Sequence, residues 1–473
     1  MSTRLTRRRF LQSTAAGAAG YWLTATAASA ARAADAPNGK FRFACVGVGG
    51  KGDGDTNQVG DIGRVVGLCD VDDGTLNQKA HKFPDAKKYY DFRTMFEELG
   101  KEIDAVTVST PDHNHAPAAI MAMKLGKHVY CQKPLTHTVY EARQMREVAK
   151  KTGVCTQMGN QGSAENGLRR AVEIVQAGVI GPVREAHVWT NRPIWPQAPT
   201  IMHRPPEAPV PPGVHWDQFI GPAPYRPNAA APEGGQGNRR RQRGDSAYHP
   251  FKWRGWWDFG TGALGDMACH TANMAYRALK LGFPTSIVAD ATDVNPETYP
   301  SSARITFEFP SRGDMPAVKF VWYEGKRDGK KVLPPEELLH KVLKPNEKLA
   351  DSGSMLVGDK GILFSPNDYG AQYRLIGDGV AEAAKAVPER LPRNGRGDHG
   401  MKQEWVEAIK ANKPEIAYSN FDIAGMLTET ILLGNVAIRL TGQKLAWDGP
   451  SLRFDNSAAN QYLHYEYRKG WTL

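Results

Sequence analysis

The chain has 473 residues, with 60 lysines and arginines against 50 aspartates and glutamates, for a formal charge of +10. Arg4, Arg7, Arg8, Arg9 and Arg32 supply half of that charge within residues 1–33, where there is no acid, so the remainder carries only about +5. Four positives sit in one run, Arg239–Arg243, rather than spread over a face with aromatic or helical readers as a nucleic-acid binder needs, and the length suits two or three domains with substantial cores.

The first 33 residues read as an export signal. Thr6-Arg7-Arg8-Arg9-Phe10-Leu11-Gln12 has the twin-arginine form, and Ala28-Ser29-Ala30 and Ala31-Arg32-Ala33 offer small-residue cleavage sites. The intervening stretch is rich in Ala, Thr and Gly, and lacks the roughly 20 strongly apolar residues of a membrane span. The expected partner is the twin-arginine export machinery, which carries folded proteins, and the expected location is the periplasm. Folding in a reducing compartment also accounts for five widely spaced cysteines, Cys45, Cys69, Cys131, Cys155 and Cys269, all read as free thiols.

Residues 40–158 alternate strand and helix patterns. Apolar runs at Phe41–Val48, Arg64–Asp70, Ile103–Ser109, His128–Gln132 and Val154–Met158 predict strands, and Ala116–Leu125 and Val139–Lys151 carry helical periodicity. This pattern predicts a parallel sheet covered on both faces, a Rossmann-type α/β domain. Residues 159–450 read as a second, α+β domain with a largely antiparallel open sheet built from Val183–Thr190, Thr285–Asp293, Ala303–Phe309 and Ala317–Tyr323. A Pro-rich insertion at 192–250 interrupts it, and its run Arg239-Arg240-Arg241-Gln242-Arg243 reads as a solvated loop. Helices are expected at 401–411 and 421–441, and residues 451–473 form a tail without an assigned role.

Gly47-Val48-Gly49-Gly50-Lys51-Gly52 follows the first strand directly, and Asp70 ends the second strand 18 residues after Gly52. In that setting Gly47 permits a tight turn, Gly49 lets the backbone approach a pyrophosphate, and Gly52 allows close helix–strand packing, and Gly50 and Lys51 are expected to bind the cofactor with them. Asp70 accepts from a ribose 2′-hydroxyl and repels a 2′-phosphate, which favours NAD over NADP. The following segment, Lys51–Ile62, is polar and glycine-rich, so a short or irregular helix is expected.

Two further segments bear on chemistry: Ser109-Thr110-Pro111-Asp112-His113-Asn114-His115 with Cys131-Gln132-Lys133-Pro134, and Gly262-Ala263-Leu264-Gly265-Asp266-Met267-Ala268-Cys269-His270. Asp266 and His270 are four apart and share one helix face. Histidine suits proton transfer near neutral pH, and lysine serves either as a base with a lowered pKa or as a fixed cation that polarises an oxygen. Asp266 orients His270 or binds a second substrate hydroxyl. The alternation of Asp112, His113 and His115 lacks a third histidine and the spacing of an open metal site, so no metal is expected. The aromatic run Tyr248–Trp257 reads either as a sugar-stacking surface or as core, with core favoured for at least one tryptophan.

Together, in this order, the motifs resemble the glucose–fructose oxidoreductase / inositol dehydrogenase (Gfo/Idh/MocA) family. The resemblance implies an NAD(P)-dependent oxidoreductase acting on a sugar or polyol hydroxyl, with Lys133, Asp266 and His270 in the catalytic set. It also places Thr110, Pro111, His115, Gln132 and Lys133 around the nicotinamide end of the cofactor. A homo-oligomer, dimer or tetramer, is expected. This chain departs from the pattern at Gln132 (usually Glu), Ala268 (usually Gly) and Asn273 (often Asp). Met158-Gly159-Asn160-Gln161-Gly162 stands where an arginine-bearing loop is usual. Free dinucleotide is scarce outside the cytoplasm, so an exported member is expected to carry its cofactor with it. The alternative function is a redox-neutral glycosidase or lyase that oxidises a sugar only transiently.

Overall fold

The computed structural model describes residues 41–231 and 246–473; the expected leader at 1–33 and the run Arg239–Arg243 lie outside the described residues. The N-terminal sheet contains β1 (Arg42–Val46), β2 (Arg64–Cys69), β3 (Lys87–Tyr89), β4 (Ala105–Val108), β5 (His128–Cys131) and β6 (Thr156–Met158). Its strand order is β3-β2-β1-β4-β5-β6 and every pair is parallel. This is the doubly wound dinucleotide-binding order, whose switch point lies between β1 and β4. β1, β2, β4 and β5 are short apolar runs because both faces are covered, whereas the edge strand β3 is Lys-Lys-Tyr and largely exposed. Sharp caps fix the helices between them: Thr138 and Glu141 form a capping box at the start of Val139–Thr152, and Gly153 ends that helix in the left-handed conformation.

Two departures from the sequence reading stand out. The helix Lys51–Ile62 is continuous over 12 residues despite its glycines. A side chain at Gly52 would meet the Gly47 carbonyl oxygen at 2.0 Å and one at Gly60 would meet the Phe83 ring at 2.5 Å, so close packing supports what propensity disfavours. The span between β2 and β4 also holds the helices Asp73–Lys82 and Phe92–Leu99, N-capped by Asp72 and Asp91, as well as strand β3. None of these three is marked by strong apolar periodicity in the sequence except the second helix.

The second sheet runs β14-β13-β12-β7-β10-β9-β8-β15-β16, with β11 (Lys330–Lys331) added on β10. Its central strands are β7 (Val183–Trp189), β8 (Ser286–Thr292), β9 (Ser302–Phe309) and β10 (Val318–Arg327). The outer strands are β12 (Gly353–Gly358), β13 (Ile362–Ser365), β14 (Arg374–Ile376), β15 (Leu445–Asp448) and β16 (Arg453–Phe454). Only β7 and β10 pair in parallel.

The apolar helix Phe421–Arg439 is long enough to cross a membrane by length and composition, yet 83% of its apolar window is buried. It lies between the domains: Arg143 of the Rossmann helix grips Glu429 through two hydrogen bonds of 2.9 and 2.7 Å, and a side chain at Gly434 would strike Leu264 and Phe307. The helix Gly397–Ala411 joins the Rossmann side instead. Trp405 is fully buried against Phe43 and Tyr130, and its indole N–H donates to the Cys155 carbonyl at 3.0 Å. The tail also returns there, with Trp471 edge-on to Phe92 and under the Arg93 guanidinium at 4.0 Å. All five cysteines are buried and free. Trp405→Ala should lower unfolding free energy by about 3–5 kcal/mol, read by chemical denaturation, because it opens a cavity between helix and sheet.

Candidate active site

The site forms where the carboxyl ends of β1, β2, β4 and β5 meet the helix Gly262–Thr271 of the second domain. Gly47 turns the chain with φ +78°, and a side chain there would strike the Ser109 carbonyl oxygen at 2.6 Å. A side chain at Gly49 would meet Thr75 at 2.7 Å, whereas Gly50, at φ +55°, has open space beside it. The loop therefore leads bare backbone into a helix N-terminus, a geometry suited to a pyrophosphate. Asp70 stands beside this loop. Its carboxylate accepts the Val48 N–H at 2.8 Å and the Asp72 N–H at 3.0 Å, and burial pushes it up to about 6 against those hydrogen bonds. These residues fit the diphosphate and ribose of a dinucleotide.

Lys51 occupies a different place from the one its motif position suggests. Its ammonium donates to Asp55 at 2.9 Å and to Asp398, so only its backbone is left for a phosphate. Asp55 is a buried hub that also accepts from Lys402 at 2.5 Å, Ser109 at 2.8 Å and Gln132 at 2.8 Å. Burial opposes its ionisation, but Lys402 and Lys51 outweigh that and keep it a carboxylate below the usual range. This explains Gln132: its amide N–H₂ donates to Asp55, whereas a glutamate would set two buried carboxylates against each other.

Lys133 follows β5 and reaches across to the second domain. Its ammonium donates to the Asp266 carboxylate and to the Asp266 carbonyl, each at 2.7 Å. Arg254 and Arg192 approach the same carboxylate at 3.6 and 3.7 Å. Burial would raise Asp266, but Lys133, Arg254 and Arg192 hold it down at about 2. Asp266 therefore orients Lys133 rather than His270. Burial, then Lys133, pushes His270 well below its ordinary value, so the ring is neutral; its Nδ1 has no hydrogen-bond partner among the described residues. Tyr369 stands edge-on to it at 5.1 Å.

The loop after β4 completes the wall. Asp112 accepts from the Thr261 hydroxyl at 2.6 Å, and burial pushes it up to about 7. Thr110 and Pro111 lead into it. His115 is fixed between the carbonyls of Thr110 at 2.8 Å and Pro134 at 2.7 Å, and His113 between those of Phe219 and Phe259. Their ring nitrogens are spent on the main chain, so both rings are struts between the two motif loops. Asn160 and Asn273 are buried in second-domain hydrogen bonds, to the Cys269 carbonyl and Ser163 respectively. The site's guanidiniums come instead from Arg192 and Arg254, which the sequence reading missed because both fall in irregular segments around the insertion. Trp253, Trp256 and Trp257 are all buried, each indole N–H bonded to a carbonyl, so these tryptophans are core and not a stacking face, while Phe251 of the same run is exposed.

Residues 41–160 match the oxidoreductase family GFO_IDH_MocA, NAD-binding Rossmann fold. The N-terminal domain is similar to the NAD-binding Rossmann domains of this oxidoreductase family. The chain is 32% identical over 96 residues to 2,7-anhydro-N-acetylneuraminate hydratase of Escherichia coli, covering 20% of this chain and 26% of that protein. It is 27% identical over 125 residues to inositol 2-dehydrogenase of Salmonella paratyphi B, covering 26% of this chain and 37% of that protein. The chain thus spans well under half the length of these relatives. The fold as a whole is similar to the WlbA dehydrogenase of Bordetella pertussis, solved with NADH and UDP-GlcNAcA, at a TM-score of 0.57 and 14% identity, covering 86% of this chain and 99% of that one.

Two outcomes follow for the Rossmann domain. Gly52→Ala should abolish cofactor retention, read by dinucleotide released on denaturation, because its methyl group has no room beside Gly47. NAD affinity should fall as pH drops through about 6, where Asp70 takes up a proton and loses acceptor capacity; in Asp70→Asn that step in a titration series should vanish.

Proposed function

We propose that the protein is an NAD-dependent oxidoreductase acting on a secondary hydroxyl of a sugar, inositol or glycoside, exported in folded form with its cofactor held tightly. The observation that carries this reading is the Lys133–Asp266 pair, which spans the domains at the carboxyl edge of β5 beside the glycine loop. When bound there, the dinucleotide supplies the hydride acceptor. The chain's own groups handle the proton and the charge. Lys133, anchored on Asp266, acts as a fixed cation toward the substrate oxygen, and Arg192 and Arg254 add to a positive potential that favours a developing alkoxide. Neutral His270 has a free ring nitrogen to take the hydroxyl proton, and a negatively charged oxygen beside it would raise its basicity during reaction. Asp70, whose carboxylate would repel a 2′-phosphate, favours NAD over NADP. The twin-arginine leader supports a periplasmic location.

A redox-neutral cycle is the second reading, favoured by the relative described as a hydratase, a reaction with no net electron change. An oxidised hydroxyl would acidify the adjacent C–H, a substituent would leave, and the hydride would return. Lys133→Ala should abolish turnover while leaving retained NAD(H) unchanged; full activity in that variant contradicts the proposal. Products formed over many turnovers without added NAD separate the redox-neutral cycle from the plain dehydrogenase.

A further inference from the structure

The Asp266 carboxylate is outnumbered by the cations around it. Lys133 takes its hydrogen bond, donating to Oδ1 at 2.7 Å. Arg254 Nε stands 3.6 Å from the same oxygen and Arg192 Nε 3.7 Å from Oδ2, both beyond hydrogen-bond distance. Among the described residues neither guanidinium has another carboxylate within ion-pair distance. Asp351, on the Arg192 side, is paired with Lys331 at 2.7 Å. Asp112 is bonded to the Thr261 hydroxyl, and burial pushes it up to about 7, so it supplies only part of a charge near neutral pH. The cluster therefore sets three cations against one full negative charge.

Both guanidiniums are fixed and accessible. Arg192 follows β7, and its Nη1 donates to the Asn191 side-chain oxygen. Arg254 lies over the Trp253 and Phe251 rings at 4.2 and 4.6 Å, and its Nη1 donates to the Phe251 carbonyl at 3.2 Å. Stacking of this kind holds a guanidinium by its flat face and leaves the edge for in-plane hydrogen bonds. Each presents a fork of N–H donors, of which only Nη1 is hydrogen-bonded among the described residues. Each arginine side chain is 24% exposed, and Lys133 and Asp266 keep 17% and 14%. The cluster thus faces solvent with donors to spare. A neutral sugar laid over it would leave several of those donors unmatched, whereas an oxyanion accepts from two at once.

On the oxidoreductase reading above, we propose that the substrate is a saccharide or polyol carrying an oxyanion, a carboxylate or a phosphate ester, which Arg192 and Arg254 bind beside the hydroxyl that Lys133 holds. The two arginines then select the substrate by charge, and the surplus positive field draws it into the cleft, an attraction that weakens as salt rises.

Calorimetric titration of the NAD-loaded protein tests this with glucuronate, galacturonate and glucose 6-phosphate, each beside glucose or galactose at matched ionic strength. Wild type is compared with Arg192→Gln, Arg254→Gln and Arg184→Gln, the last an exposed arginine on β7. At least one anion is expected to bind saturably and about tenfold or more tighter than its neutral counterpart; each cleft variant should weaken it about tenfold, and Arg184→Gln should leave it unchanged. The tighter of carboxylate and phosphate identifies the oxyanion. Retained NAD(H) and melting temperature report that the variants are folded. Absence of binding by all three anions, equal affinity for the neutral sugars, or indifference to both cleft variants overturns the proposal. The oxidoreductase reading fails separately. An anion that binds through the arginines but never changes the reduced-nicotinamide absorbance contradicts that reading, whereas a neutral sugar that changes it while no anion binds contradicts this one.

Discussion

A single buried carboxylate ties the cofactor half of this molecule together. Asp55 lies one turn into the helix that opens at the glycine loop, and four donors converge on it: Lys51 from its own helix, Ser109 after β4, Gln132 after β5 and Lys402 from the helix Gly397–Ala411. Lys402 and Asp55 are both fully buried, and Asp398 accepts from Lys402 at 3.1 Å and from Lys51. Two acids and two lysines close the charge balance in a place where an unpaired charge would cost several kcal/mol. Because each donor comes from a different segment, the network fixes the phosphate loop, the loop that carries Lys133 and a C-terminal helix relative to one another.

From that frame the catalytic electrostatics follow. Gln132 is turned inward to Asp55, and the next residue, Lys133, reaches outward to Asp266 in the second domain. Three cations surround one carboxylate, which leaves the site net positive, while burial first and Lys133 second keep His270 neutral. The cost of burying these charges is met by mutual pairing, and the surplus positive potential is aimed where negative charge develops on a substrate oxygen. The insertion closes the far end of the same cleft: His215 donates its backbone N–H to the Val71 carbonyl at 2.8 Å, and Asp73 donates to the Gly213 carbonyl at 2.9 Å, next to Asp70.

Local signals were readable wherever one residue type suffices. The glycine loop, its position after β1, the acid at the end of β2 and the β7–β10 strands all follow from spacing and alternation. What sequence concealed is long-range pairing. Asp398 and Lys402 are spaced as an i,i+4 helix pair, yet Lys402 is fully buried on Asp55 and Tyr130 and Asp398 is partly buried beside it. Lys51 looks like a phosphate ligand, yet its ammonium is committed. The expectation that Asp266 orients His270 came from their four-residue spacing, but the partner that wins is Lys133, 133 residues away. The helix Lys51–Ile62 forms against propensity because its glycines meet Gly47 and Phe83, contacts that no local pattern reveals. The carbonyl partners that fix the histidines after β4, from Phe219, Phe259, Thr110 and Pro134, likewise leave no local signal.

The most direct measurement is mass spectrometry of the small molecules released on denaturing protein purified without added cofactor, paired with the reduced-nicotinamide absorbance of the native sample. A tightly held hydride site predicts NAD or NADH released at close to one equivalent per chain, with the absorbance band rising or bleaching when a sugar or polyol is added. Protein that releases no dinucleotide and takes none up on incubation with NAD would contradict it.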